Sequence, residues 1–143
     1  QYKQGRFYMP GASIKIPDYF FILSGGESLQ IDGLILRSPK DDFQVVYAAS
    51  EGQRSTSDEL NELLNGEAGY RRFRGVTPLL VNGLPGHYAV YGYEGEQYYE
   101  AQFRLSKRRR LSMIVYTDSP LSIWQVMETD AFQEALFGLR KEE

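Results

Sequence analysis

Between Val76 and Thr117, apolar and polar residues alternate with the two-residue period of half-buried strands. Polar turns divide this stretch into three predicted strands, residues 76–94, 96–105 and 109–117. A glycine-first turn at Gly95-Glu96 suits the type II′ geometry of a tight hairpin. It sets Tyr93 opposite Tyr98, Tyr91 opposite Glu100 and Ala89 opposite Gln102. Cross-strand partners share a face. One face then carries Tyr88, Val90, Tyr99, Ala101, Phe103 and Leu105, and is the predicted core. A loop from Ser106 to Arg110 pairs Leu105 with Leu111 and adds Met113 and Val115 to that face. A slip of one residue would send Phe103 and Leu105 to water, so burial pins the alternation. The opposite face carries His87, Ala89, Tyr91, Tyr93, Tyr98, Glu100, Gln102 and Arg104, then Ser112, Ile114 and Tyr116. It is too apolar for full exposure, so a helix or a partner is expected over part of it.

Ahead of this stretch, Ile14 and Ile16 around Lys15 read as a short strand stopped by Pro17. Residues 19–23, Tyr-Phe-Phe-Ile-Leu, form an apolar run: a buried strand, or a loop packed on the core. Gly25-Gly26 breaks it. A weakly alternating stretch from Leu29 to Arg37, with a bulge or turn at Asp32-Gly33, runs through a turn at residues 38–42 into a strand from Phe43 to Ala49, which makes a hairpin. Thr56 with Glu59 fits a capping box for a short helix whose apolar face is Leu60, Leu63 and Leu64, ended by Gly66 or Gly69. Residues 70–75, Tyr-Arg-Arg-Phe-Arg-Gly, lead into the strands. After them, Asp118-Ser119-Pro120 is a helix-start signal. Leu121, Trp124, Val126 and Met127 line a first helical segment. Thr129-Asp130 caps a second, with Phe132, Leu136 and Leu139 on its face, ending near Arg140.

The 143 residues suit one domain, 1–143, with 42% hydrophobic and 24% charged residues, so disorder is excluded. No apolar run approaches the roughly 18 residues of a membrane-spanning helix. The chain opens on Gln1 rather than Met, so a trimmed or processed start is expected. With no cysteine there are no disulfides, no thiol catalysis and no cysteine metal sites. A net charge of −3 gives no pull toward nucleic acid or an anionic membrane.

The candidate chemistry is thin. His87 is the single histidine, and no G-x-S-x-G places a serine beside it, so it reads as an ordinary strand-start residue. Glu94, Glu96 and Glu100 offer carboxylates, but an open strand face would not raise their pKa as acid catalysis needs. No ligand spacing supports a metal, and no phosphate-cradling glycine motif supports a nucleotide. No catalytic residue, metal or cofactor is therefore expected. Lys107-Arg108-Arg109-Arg110 and Arg71-Arg72-Phe73-Arg74 read as solvated charge or as a patch for an acidic partner or phosphate. Tyr91, Tyr93 and Tyr98 with Glu100 read as sheet aromatics under a helix, or as an open partner surface.

The order of elements runs from extended hairpins through one mid-chain helix to a meander entered through residues 81–86 (Val-Asn-Gly-Leu-Pro-Gly). It closes on a helix at Phe132 and Leu136-Phe137-Gly138-Leu139-Arg140. From about Ile14 on, this order resembles the Mog1/PsbP-like domains, with DcrB-like lipoproteins among their bacterial relatives. The resemblance implies an α+β fold, with an antiparallel meander between helices as an α/β/α sandwich. It also implies protein binding rather than catalysis, and it transfers no functional residue. The expected function is a non-enzymatic interaction domain of a bacterial protein, in an exported version or as a cytosolic adaptor or chaperone. A small hydrolase is the third reading and lacks the motifs. Tyr91, Tyr93, Tyr98, Glu100, Arg108 and Arg109 are the candidate partner-binding residues.

Overall fold

A computed structural model of the chain describes residues 2–3, 5–24, 33–39, 41–66, 69–117 and 122–142. The Gly25-Gly26 break, residues 29–32 of the weakly alternating stretch, Lys40, and the Asp118-Ser119-Pro120 signal with Leu121 lie outside the described residues.

The long alternating stretch forms four strands rather than three: β7 (Arg71–Val81), β8 (Leu84–Tyr93), β9 (Glu96–Arg104) and β10 (Arg109–Thr117). Asn82 and Gly83 have φ of 47° and 84°, the left-handed pair of a type I′ turn, so the predicted strand 76–94 folds back on itself. The arginines at 71, 72 and 74 lie within β7 rather than before it. The next turn is also of this kind, with Glu94 and Gly95 at φ 50° and 83°, one residue earlier than predicted. Moving a two-residue turn by one position moves every pair by two. Tyr93 therefore faces Glu96, Tyr91 faces Tyr98 and Ala89 faces Glu100. The β9–β10 pairing is displaced in the same way, with Phe103 rather than Leu105 opposite Leu111. Two residues is one full pleat repeat, so every side chain keeps its predicted face. Val90, Tyr99, Ala101, Phe103, Leu105, Leu111, Met113 and Val115 are buried together, with Tyr88 half-buried beside them.

β4 (Phe21–Ser24), β5 (Gly33–Ser38) and β6 (Phe43–Glu51) extend these strands into a seven-stranded antiparallel sheet, ordered β4-β5-β6-β10-β9-β8-β7. The β5–β6 hairpin is the predicted one. The 19–23 run is not a buried strand: Phe20 is buried, whereas Phe21, Ile22 and Leu23 on the edge strand are 59%, 47% and 52% exposed. A second, four-stranded sheet was not foreseen. It orders β1 (Tyr2–Lys3), β2 (Arg6–Met9), β3 (Ala12–Lys15) and β11 (Leu139–Lys141). Leu139 is buried there, opposite Ile14, rather than on a helix.

α1 (Thr56–Gly66) packs on the face of β7, β8 and β9 that carries Tyr91, burying Leu60 and Leu64. Its cap is Ser55, one residue before the predicted Thr56: the Ser55 hydroxyl accepts the Asp58 N–H at 3.2 Å. α2 (Ile123–Met127) and α3 (Asp130–Phe137) cover the opposite face. Ser122 and Gln125 form a reciprocal box at α2, and Thr129 caps α3 as predicted. Ile123 and Val126 are the buried positions of α2, and Trp124 turns outward. Tyr99 meets Phe132 edge to face at 4.9 Å, and the Tyr47 hydroxyl donates to the Ala135 carbonyl at 3.1 Å. The described residues thus form an α+β fold, a mainly antiparallel sheet with helices on both faces.

Truncating Phe103, fully buried at the centre of the sheet, is expected to cost about 3–5 kcal/mol, read by urea unfolding of Phe103→Ala. Ser55→Ala is expected to cost about 1 kcal/mol.

Candidate functional site

The tyrosine face of the β8–β9 hairpin is built around a carboxylate. The observed register sets Ala89 beside Glu100 and His87 beside Gln102, and α1 lies across this row. Glu100 is only 7% exposed and Tyr91 5%. The Tyr91 hydroxyl donates to Glu100 Oε1 at 2.7 Å, and Gln102 Nε2 donates to Oε2 at 2.7 Å. Thr56 Oγ1, freed from capping, is hydrogen-bonded to His87 Nδ1 at 2.8 Å and ties the start of α1 to β8. The Arg110 guanidinium meets Glu59 of α1 at 3.0 Å. A polar layer thus lies between helix and sheet.

Around it runs a ribbon of five tyrosines. Tyr93 stacks on Tyr70 at 4.5 Å, Tyr70 meets Tyr91 at 5.4 Å, Tyr91 stacks on Tyr98 at 5.1 Å, and Tyr98 reaches Tyr116 at 5.9 Å. The Tyr116 hydroxyl donates to Gln44 Oε1 at 2.5 Å. The ribbon crosses the sheet from β8 to β6, and Tyr91 alone of the five is buried.

These contacts sort the predicted site residues. Tyr91, Tyr93, Tyr98 and Glu100 are brought together, but Tyr91 and Glu100 lie beneath α1 and present no open surface. Arg108 and Arg109 stand apart. They close the β9–β10 hairpin six residues along β9 from Tyr98, about 20 Å at the rise of a strand. That hairpin end is held by Arg104, which donates to the Gly52 carbonyl at 2.6 Å and also to the Arg54 carbonyl. The expectation that Glu100 sits on an open face with an ordinary pKa is overturned: burial pushes its pKa up. The donors Tyr91 and Gln102 pull the other way without cancelling it, and the Glu59 charge adds to the rise. Tyr98 is pushed up to about 12 by burial and by Glu96 beside it. Glu94 and Glu96 are exposed at the turn. Among the described residues, no three His, Asp or Glu are gathered to hold a metal ion.

Sequence reasoning missed two features. The first is the continuation of this sheet face beyond α1, past the expected Ile114 and Tyr116, onto Val46 and Ile35. Ile35, Val46 and Ile114 stand in register across β5, β6 and β10, half-buried, with Tyr116 and Tyr98 along their border. Their alternation was visible, but where α1 would stop was not. The second is a cavity of about 420 Å³ between Tyr19 and α3, lined by Lys15, Asp18, Glu134 and Phe137, where the Tyr19 hydroxyl donates to Glu134 at 2.5 Å. No local pattern marks it, since its walls are more than a hundred residues apart.

Because the folded state binds the Glu100 proton more tightly than the unfolded chain, that group's contribution to stability is full below the ordinary glutamate value of 4.5 and is lost as pH rises through the raised value. Glu100→Gln is expected to flatten this decline in a series of urea midpoints above pH 4.5. The buried Gln102 Oε1, which has no hydrogen-bond partner among the described residues, can accept from the new amide after a flip.

No protein-family profile matches the chain, and comparison with curated proteins finds no match. Solved structures do match in fold. LpqN of Mycobacterium tuberculosis, described as involved in cell envelope biogenesis, superposes with a TM-score of 0.64 at 14% identity, over 94% of this chain and 87% of that one. A Bacteroides thetaiotaomicron protein superposes with a TM-score of 0.55 at 13% identity, over 97% of this chain and 48% of its own. At such identities the likeness is one of fold.

Proposed function

We infer that this chain is a non-enzymatic interaction domain of a bacterial protein, and that its partner packs on the sheet face beside α1. The observation that carries this reading is the half-buried row Ile35, Val46 and Ile114 with its tyrosine border. Aliphatic side chains flanked by tyrosine hydroxyls are the composition of a protein-binding patch, in which the aromatics supply area and a polar tip. The predicted tyrosine surface is thereby moved: Tyr98 and Tyr116 border the site, and Tyr91, under α1, stacks on Tyr98 from the side. A non-catalytic role for Glu100 is favoured because donors already occupy both of its oxygens. Arg108 and Arg109 remain a separate basic loop in this reading.

Two fold neighbours of bacterial origin support a bacterial source, and the cell-envelope role described for LpqN favours an exported or envelope-attached protein over a cytosolic adaptor. The order of elements supports kinship with Mog1/PsbP-like domains at the level of fold. No helix among the described residues is long and apolar enough to cross a membrane.

Val46→Thr with Ile114→Thr changes this face, keeps the β-branched shape and adds no charge beside Glu100. It is expected to lower stability by about 1–2 kcal/mol while sharply reducing partner capture from native lysate. Lys107→Glu on the distant hairpin is expected to leave capture intact. Undiminished capture by the double variant would remove the site from this face.

A further inference from the structure

Several guanidiniums of this chain are neutralised in place. Arg37 meets Asp42, Arg54 meets Glu62, Arg110 meets Glu59 and Arg140 meets Glu142. Arg71, Arg72 and Arg74 on β7 are different. All three are exposed on an edge strand, and among the described residues none of them meets a carboxylate. The chain holds 19 acidic against 16 basic residues, so no shortage of acids explains this.

Neutral partners hold them instead. The Arg71 guanidinium lies over the Phe73 ring at 5.9 Å, and Arg74 lies over Trp124 at 4.7 Å and Tyr88 at 6.0 Å. Arg74 also donates to the Tyr88 hydroxyl at 2.9 Å, and Arg72 donates to Asn65 at the end of α1. Stacking occupies the flat face of a guanidinium. The in-plane N–H groups, the fork that grips a carboxylate in two places, remain for another group: all of them in Arg71, and in Arg74 those that the Tyr88 hydroxyl does not take.

The backbone adds a second observation. Three residues apart, Arg71 and Arg74 would fall on opposite faces of a regular strand. β7 is bulged: Arg72 pairs with Tyr91 while Arg74 pairs with Val90. The extra residue sets Arg71 and Arg74 opposite Gly92 and Val90, two apart on β8 and therefore on one face. Their rows are about 7 Å apart, the spacing of alternate residues in an extended chain. Bulges re-aim side chains in this way, and they also interrupt the outer edge as a template for backbone pairing.

We propose that the bulged edge of β7 docks an extended acidic segment of a protein partner, with carboxylates at alternate positions taken by Arg71 and Arg74. Single-stranded nucleic acid fits less well. The Phe73 and Trp124 rings that would stack bases already face guanidiniums, and a net charge of −3 opposes a long polyanion.

The test is fluorescence anisotropy of the whole chain with a dye-labelled peptide of alternating glutamate and threonine, about eight residues long. A glutamine-for-glutamate peptide and an oligothymidylate of equal charge are run beside it. The acidic peptide is expected to bind at low salt and to weaken as salt rises. Arg71→Gln with Arg74→Gln is expected to weaken it about tenfold or more, and Arg71→Lys with Arg74→Lys, which keeps the charge and loses the fork, by a comparable factor. Arg108→Gln, an exposed arginine elsewhere, is expected to change it by less than about twofold. Unchanged circular dichroism and thermal midpoints would show that the variants fold. The proposal falls if the acidic peptide does not bind, if Arg108→Gln weakens it as much as the β7 variants, or if the oligothymidylate binds more tightly.

Discussion

The fold depends on the two-residue period of the pleat being held in step across β6, β10, β9 and β8. Val45, Val115, Tyr99 and Val90 form one row across these strands. Val46, Ile114, Glu100 and Ala89 form the next, on the other face. A slip of one residue in β9 would bring the Glu100 carboxylate into the apolar core and push Phe103 toward α1. Burying an unpartnered charge costs several kcal/mol, and exposing a buried aromatic forfeits a few more. The same register therefore fixes both the core and the polar layer that seats α1. The tyrosine ribbon follows from it, because Tyr91, Tyr98 and Tyr116 occupy one row of the same lattice.

That dependence explains what the sequence made legible. Alternation from Tyr88 to Val115 gave the correct face for every residue while giving the wrong partner for each. A displacement by two leaves burial unchanged and is invisible to hydrophobic patterning. Turn geometry decided it: Glu-Gly takes the type I′ pair of positive φ values, with glycine second. Asn82-Gly83 was legible as a turn between strands in the order that carries the resemblance, although residues 76–94 also read as one continuous run. Of the small sheet only β3 was legible, as the short strand around Ile14 and Lys15. Its strands are two to four residues long, and β3 finds β11 across almost the whole chain. Contacts near its ends, such as Arg6 to the Gly138 carbonyl at 3.0 Å and Ser13 to Glu142 at 2.6 Å, leave no local periodicity to read.

The candidate site was half legible, for a related reason. Tyr91, Tyr98 and Glu100 were grouped correctly because a shared face follows from parity. Whether that face is open depends on where a helix from another part of the chain settles. His87 and Thr56 were each assigned an ordinary role, strand start and helix cap. Only the shift of the cap to Ser55 frees Thr56 to bond the imidazole. The raised pKa of Glu100 is likewise a tertiary property, since no neighbour in sequence buries it.

Dimensions account for the bare half of the sheet. α1 has 11 residues and is roughly 16 Å long. Seven strands at about 4.8 Å each span roughly 30 Å. A helix of that length, about 10 Å across, shields at most about half of such a face. On the opposite face α2 and α3 add to the coverage, and the row beneath them, from Val45 to Val90, is fully buried. The row from Ile35 through Val46 to Ile114 is aliphatic and yet only half-buried among the described residues. Aliphatic side chains left partly open beside tyrosines are the composition on which the proposed partner surface rests.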